Sequence, residues 1–247
     1  MQESIEAPIN SLQRREKQTI LARSLIGRSL GFKDCHPETL DALMSQSVLR
    51  WLAKGETLAK HGDEFDCLCL VVEGSIEVSI LRHDGHRHLI HFLQPGDTVG
   101  FINMIDRQGQ VNDLVSRFSD TAVLLVSGDE IRRLRTSNPD LRAAFEIQMA
   151  FRSRLLYERL AADASLTLEA RLAKLLLTLA TLYGLDRPEG ILLDVRISQA
   201  DLADWLGVSR QRINLAAQLM KSEGLLSMSY SSIVVTNLPG LKARAVS

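Results

Sequence analysis

Two groups of residues have the types and spacing to do chemistry. The first is Arg210, Gln211 and Asn214, three polar side chains within five positions. An arginine guanidinium can donate two parallel hydrogen bonds to the edge of guanine, and Gln or Asn can pair bidentately with adenine. The second group is His83, His86, His88 and His91, four of the six histidines within nine residues. Imidazoles so close together could hold a metal or a haem, with His86 and His88 alternating onto one strand face. A solvated polar hairpin is the simpler reading of the same four. No nucleophile–base or paired-acid constellation appears elsewhere, so the chain is read as a binding protein and not an enzyme.

The elements around the first group position it well. Ser198 caps a short helix with Asp201 at its third position, and Leu202, Ala203 and Leu206 form the inner face. Gly207 breaks that helix and Ser209 at once caps another. Ile213, Ala216, Ala217 and Met220 face inward on the second helix, and Gly224 ends it. Two capped helices around a glycine turn form a helix-turn-helix, whose second helix reads DNA with its first residues. Arg212 and Lys221 are placed for phosphates, and Ser198, Gln199 and Ser209 offer further donors to them. Leu225–Ser227 and Ile233–Val235 read as a hairpin, the wing. From Arg196 to Ser247 six basic residues face three acidic ones, a local excess of positive charge.

The rest of the 247 residues supports this segment. Lys plus Arg is 29 and Asp plus Glu is 30, which excludes a uniformly basic nucleic-acid coat protein. An apolar share of 45% excludes a disordered chain. No apolar run reaches the roughly 18 residues of a membrane span. The start, Met1-Gln2-Glu3-Ser4, lacks the order of a signal peptide, and three cysteines make a poor disulfide framework. The expected location is the cytoplasm.

Residues 1–30 read as a mobile extension ending in a helix. Between Val48 and Val126 short β-branched runs alternate with glycine turns, from Lys54-Gly55-Glu56 to Pro95-Gly96-Asp97. That texture predicts a β-sandwich or barrel, with a hairpin at Asp84-Gly85. Ser127 and Glu130 suggest a capping box, and Asn138-Pro139-Asp140 an N-cap, first position and first-turn acid. The segment from Leu141 to about Ala162 has no Gly or Pro and carries two apolar stripes. Phe145, Met149, Leu156 and Leu160 form one; Leu141, Ala144, Phe151 and Leu155 form the other. Two stripes need two surfaces: one on the β domain and one on a second copy of the helix, or, in the simpler reading, both within one monomer in which the helix is deeply buried. Candidate seam residues are Phe145, Met149, Phe151, Leu155 and Leu156. A helix over Leu166–Tyr183 ends at Gly184, read as a left-handed stop. Ile191–Ile197 reads as strand.

This order of parts, from about Leu49 to Val235, resembles the Crp/Fnr family of bacterial transcription regulators. The glycine series ending in Pro95-Gly96-Asp97-Thr98-Val99-Gly100 is similar to that family's cyclic-nucleotide-binding-type β-roll. Leu206-Gly207-Val208-Ser209-Arg210-Gln211 is similar to the start of its recognition helix. The resemblance implies an α+β fold with a jelly-roll-like N-terminal β-roll, a long dimerisation helix and a C-terminal winged helix-turn-helix. The expected divisions are 1–30, 31–128, 129–163 and 164–247. It also implies a homodimer on a near-palindromic double-stranded operator, with half-sites one turn or ~34 Å apart, and RNA polymerase as a partner.

Departures from the family are informative. Cyclic-nucleotide-binding members follow the glycine with Glu and carry an Arg-Ser or Arg-Thr pair; here Phe101 follows Gly100, and Gln110-Val111-Asn112-Asp113-Leu114 stands in place of the pair. Asp113 would repel a phosphate, so cAMP is not expected and no cofactor is predicted. Phe101, Asn112, Asp113 and His88 are the candidate surroundings of some other effector. The family often has Glu where Gln211 stands and Arg where Leu215 stands, so a different operator is expected. The cysteine cluster of iron–sulfur members is missing from the first 34 residues. Cys67 and Cys69 read as small core residues. The alternative is a cupin-like metal or haem sensor or enzyme fused to a helix-turn-helix, with His86-Arg87-His88 resembling a cupin His-x-His. The Glu expected a few residues on is missing there.

Overall fold

The computed structural model describes residues 3–81, 87–229 and 232–246. The chain forms two compact units, residues 1–81 with 91–153 and residues 82–90 with 154–247. The elements up to the middle of the chain are α1 (Glu3–Ile26), a 3-10 turn (Phe32–Asp34), α2 (Pro37–Ser45), β1 (Ser47–Leu52), β2 (Thr57–Ala59), β3 (Cys67–Glu73), β4 (Ile76–Leu81), β5 (Arg87–Leu93), β6 (Thr98–Val99), α3 (Phe101–Asp106), β7 (Asp113–Ser116), β8 (Thr121–Ser127) and α4 (Gly128–Ser137). Two four-stranded sheets result, in the orders β1-β8-β3-β6 and β2-β7-β4-β5. Their described pairings are antiparallel, as in Cys69↔Leu125 between β3 and β8. The turn Asp84-Gly85, with His83 and His86, lies outside the described residues.

The core follows from strand alternation. Leu68, Leu70 and Val72 of β3 and Ala122, Leu124 and Val126 of β8 point to one side. There they meet Ala22 and Ile26 of α1, Leu40 and Leu43 of α2, and Ile131 and Leu134 of α4. The alternate residues Cys69, Val71 and Val123 are buried too, so both faces of these central strands are covered.

The N-terminal extension differs from expectation. Its helix is packed, with Ala22 and Ile26 fully buried four residues apart on one face. Gln18 donates to Glu73 at 2.7 Å, and the Arg14 guanidinium stacks on Trp51 at 3.8 Å. Arg23 pairs with Asp41 of α2.

The helical part begins with α4, capped as expected by Ser127, whose hydroxyl accepts from the Glu130 N–H. The reciprocal half of the box is missing, because the Glu130 carboxylate turns to Arg133 instead. Helix α5 (Pro139–Ser165) has 27 residues, about 40 Å at 1.5 Å each. Asn138 precedes it but its amide donates back to the Leu134 carbonyl at 2.8 Å. The first-turn acid Asp140 accepts from the N–H groups of His36 and Leu141. These bonds hold the Asp140 carboxyl below the usual range against the opposing effect of burial, the largest single influence.

The remaining elements are α6 (Leu168–Tyr183), β9 (Gly184–Arg187), β10 (Gly190–Leu193), α7 (Gln199–Leu206), α8 (Arg210–Ser222), β11 (Leu226–Met228), β12 (Ile233–Val235) and α9 (Leu238–Arg244). Their sheet has the order β11-β12-β10-β9. Gly184 is not a left-handed stop: its φ is −76° and the chain runs straight into β9. Glycine is needed there for space, since a Cβ would lie 2.2 Å from the Ala180 carbonyl oxygen. The strand expected over Ile191–Ile197 ends at Leu193. Among the described residues no helix is long and apolar enough to cross a membrane.

Candidate nucleic-acid interface

The interface is built on α7, the turn and α8. Ser198 and Asp201 form a complete capping box: the Asp201 N–H donates to the Ser198 hydroxyl at 3.1 Å, and the Ser198 N–H donates to the Asp201 carboxylate at 2.9 Å. The Ser198 hydroxyl also donates to Asp201 at 2.8 Å, so it is committed within the box rather than free for phosphate. Gly207 ends α7 with φ 66°, a left-handed conformation that glycine adopts at little cost. The Val208 N–H reaches back to the Ala203 carbonyl at 3.0 Å. From α6, Arg171 donates to the Leu206 carbonyl at 2.6 Å and so ties down the turn. Ser209 then caps α8 through the Arg212 N–H.

Helix α8 separates cleanly into two faces. Ile213, Ala216, Ala217 and Met220 are buried, and the helix packs on α6 and α7. Arg210, Gln211, Arg212, Asn214, Leu215, Gln218 and Lys221 are exposed. Asn214 accepts from the Gln199 side chain at 3.3 Å, which joins the outer edges of the two helices. The first turn of α8 contains no acid. Helix N-termini favour carboxylates because their N–H groups carry partial positive charge. Here Arg210 and Arg212 add to that charge, a local cost that an incoming anion would remove. Of the eight residues expected at the interface, seven lie on α7, α8 or the cap between them, with Ser198 as the cap of α7. Gln199 is half-buried and Ser209 is exposed.

Behind this face lie elements that the sequence reading did not include. Asn237 caps α9 by accepting from the Gly240 N–H at 2.9 Å, and Leu241 is fully buried. Arg244 of α9 pairs with Glu223 beyond the end of α8. The signal was present as Asn237-Leu238-Pro239, a cap followed by an early proline.

The candidate effector residues are placed quite differently. Phe101 is 3% exposed and belongs to the core. Its ring meets Phe145 edge-on at 4.9 Å, and both face Phe32 at 6.4 and 6.2 Å. The Arg152 guanidinium lies over the Phe101 ring at 5.3 Å and donates to the Thr98 carbonyl. Gly100 makes the turn into α3 with φ 109°; a Cβ there would sit 2.0 Å from the Cys67 carbonyl oxygen. Asn112 accepts from Gln110 at 2.8 Å, and Asp113 accepts from the His61 N–H at 2.9 Å. His88 is half-buried in β5. Phe101 is therefore packing, not the wall of an open cavity.

Among the described residues no group of three or more His, Cys, Asp or Glu is arranged to hold a metal. Burial raises the Cys35 thiol to about 11 and the Cys67 thiol to about 12, and pushes Cys69 up as well. Protonated thiols are poor ligands and poor nucleophiles.

The candidate seam residues also separate. Phe145 is fully buried within its own unit, with Leu141 and Ala144, so it belongs to the core. Met149, Phe151 and Leu155 are half-buried and Leu156 is 56% exposed. Tyr157 at 72% and Leu160 at 57% extend the exposed apolar surface.

Comparison with known proteins agrees with this architecture. The family model for the cyclic nucleotide-binding domain matches residues 49–138, and that for the Crp-like helix-turn-helix domain matches residues 170–244. The cAMP-activated global transcriptional regulator CRP of Escherichia coli is 25% identical over 198 residues, 80% of this chain and 93% of the relative. Transcriptional regulatory protein btr of Bordetella pertussis is 28% identical over 208 residues, 83% of each chain. The structure of FixK2 from Bradyrhizobium japonicum shares the fold, with a TM-score of 0.70 at 19% identity over 80% of this chain and 96% of that one. A β-roll of the cyclic nucleotide-binding type, followed by a helix-turn-helix of the Crp type, places the chain in the Crp/Fnr family of transcription regulators.

Proposed function

We propose that this protein is a sequence-specific, double-stranded-DNA-binding regulator that acts as a homodimer on a near-palindromic operator. The observation that carries the reading is the outward face of α8, where Arg210, Gln211 and Asn214 stand exposed on a capped helix without acid in its first turn. Arg210 donates to guanine, Gln211 and Asn214 pair with adenine, and Arg212 and Lys221 neutralise phosphates. The dimer seam runs along the exposed apolar surface of α5, through Leu156, Tyr157 and Leu160. RNA polymerase is the further partner in the cytoplasm, and no reaction is catalysed. The Escherichia coli relative is cAMP-activated by name. This chain is not: Phe101 fills the turn after Gly100 with a ring packed on Phe145, and Asp113 puts a negative charge where a phosphate would need donors. Any effector acting at the β-roll is of another kind.

The test is selection from random double-stranded DNA by the purified full chain without added ligand. A near-palindrome with guanine in each half-site is expected. No enrichment, both as purified and after a screen of candidate ligands, would overturn the reading.

A further inference from the structure

The outward face of α8 contains a residue whose chemistry the hydrogen-bonding scheme leaves unused. Leu215 is 63% exposed. Its position on the helix is informative. At about 100° per residue, the buried Ile213, Ala216, Ala217 and Met220 centre on one side of α8. Leu215 lies about 30° from the opposite direction, and about 40° from Gln211, one turn earlier. Asn214 and Gln218 share the same half of the helix. Leu215 is thus an apolar residue on the outward half of the helix, one turn after Gln211 and one turn before Gln218. Leu219, 44% exposed, lies farther round and farther from the N-terminus that reaches base edges.

We propose, resting on the DNA-binding reading above, that Leu215 reads the 5-methyl group of a thymine in the major groove. Thymine is the one standard base with a methyl group on that edge. A leucine against it buries apolar surface on both partners. Against cytosine, guanine or adenine the same side chain covers an amino group or a ring acceptor without replacing its hydrogen bond to water, which disfavours those bases. Arg210, Gln211 and Asn214 fix the register through hydrogen bonds, and Leu215 selects the pair next to them by shape. The exposed leucine is then a specificity element that is wet in the free protein and dry in the complex.

Deoxyuridine tests this directly, because it keeps every hydrogen-bonding group of thymine and lacks only the methyl. Each thymine of the selected operator is replaced singly, with its symmetry mate, and affinity for the full-chain protein is measured. One thymine per half-site should show a loss of about fourfold per methyl, the worth of one buried methyl group. In Leu215→Ala that penalty should vanish at that position, while penalties at other thymines remain. Leu215→Met should retain it. Circular dichroism should show the same helix content for all three proteins, since the position is exposed and alanine favours helix. An operator bound with no thymine methyl effect overturns this assignment alone, as does a methyl effect that persists in Leu215→Ala. Failure to select any operator overturns the DNA-binding reading and this assignment with it.

Discussion

The turn at Phe101 and the outer face of α8 differ in how their side chains are spent. At Phe101 three aromatic rings, a guanidinium and a strand carbonyl satisfy one another inside the β-roll unit. On α8, polar and apolar groups alike face solvent beside a helix N-terminus that holds no acid. The helix-turn-helix unit leaves its α8 face open, whereas the Phe101 ring of the β-roll unit is packed. The interior next to Gly100 is occupied by the protein's own residues. Unmatched groups occur in both regions: the polar side chains of α8 stand in solvent, while Thr98 Oγ1, Asn103 Nδ2 and Gln110 Oε1 of the β-roll unit are buried without a hydrogen-bond partner among the described residues.

Phe101→Ala tests that contrast most severely. Emptying a packed ring should cost about 3–5 kcal/mol in chemical denaturation, whereas a ring lining an open pocket would cost far less. Operator preference should be unchanged in the fraction that remains folded. Leu156→Glu comes next, placing an unpaired charge in the proposed seam. It should weaken self-association by about 3 kcal/mol or more without lowering the stability of the monomer, as read by sedimentation. An unchanged dimer would move the seam off this surface. Arg210→Ala should lose about 1–3 kcal/mol of operator binding and relax preference at one guanine, with folding stability intact. Equal loss on all DNA sequences would reassign Arg210 to phosphate. Ser209→Ala should cost about 1 kcal/mol of stability through the lost cap of α8.

The smallest effect is expected at an ion pair of the β-roll unit. Arg132 donates to the Asp66 carboxylate at 2.9 and 2.7 Å, which holds that carboxyl below its ordinary range. A depressed carboxyl contributes stability in full above its unfolded pKa of about 3.9, and loses it as pH falls through the lower folded value. The stability gap between the wild type and Asp66→Asn should therefore be constant at neutral pH and close only in acid. A gap that opened towards acid would contradict the ion pair.

What the sequence reveals depends on how local the cause is. The helix-turn-helix is written in caps at Ser198 and Ser209, a break at Gly207 and the period of four inner residues, all within 25 positions, and the structure reproduces each. Phe101 looks like part of a pocket because the reading rests on its neighbour Gly100. Its burial is decided by Phe32 and Phe145, which are distant in sequence. The two stripes of α5 show the same limit. Spacing identifies two apolar surfaces but assigns Phe145 to the wrong one, since its burial depends on where the β-roll core ends. Gly184 has the right type for a helix stop, yet it is needed because Ile191 and the end of α6 crowd it. Helix α9 is legible in Asn237 and Pro239, a cap and an early proline.

The alanines beneath α8 carry one more consequence. Ala216 and Ala217 are nearly inaccessible, and α8 rests on α6 and α7 through side chains that small. The thickness of that cushion sets the height and pitch at which Arg210 and Gln211 are presented. Two methyl groups added at either alanine, as in Ala216→Val, would act as a shim beneath the helix and tilt it as a rigid rod. On the proposed DNA-binding function, operator preference depends partly on residues that never meet DNA, and altered recognition is expected from the hidden side of the helix as well as from its exposed one.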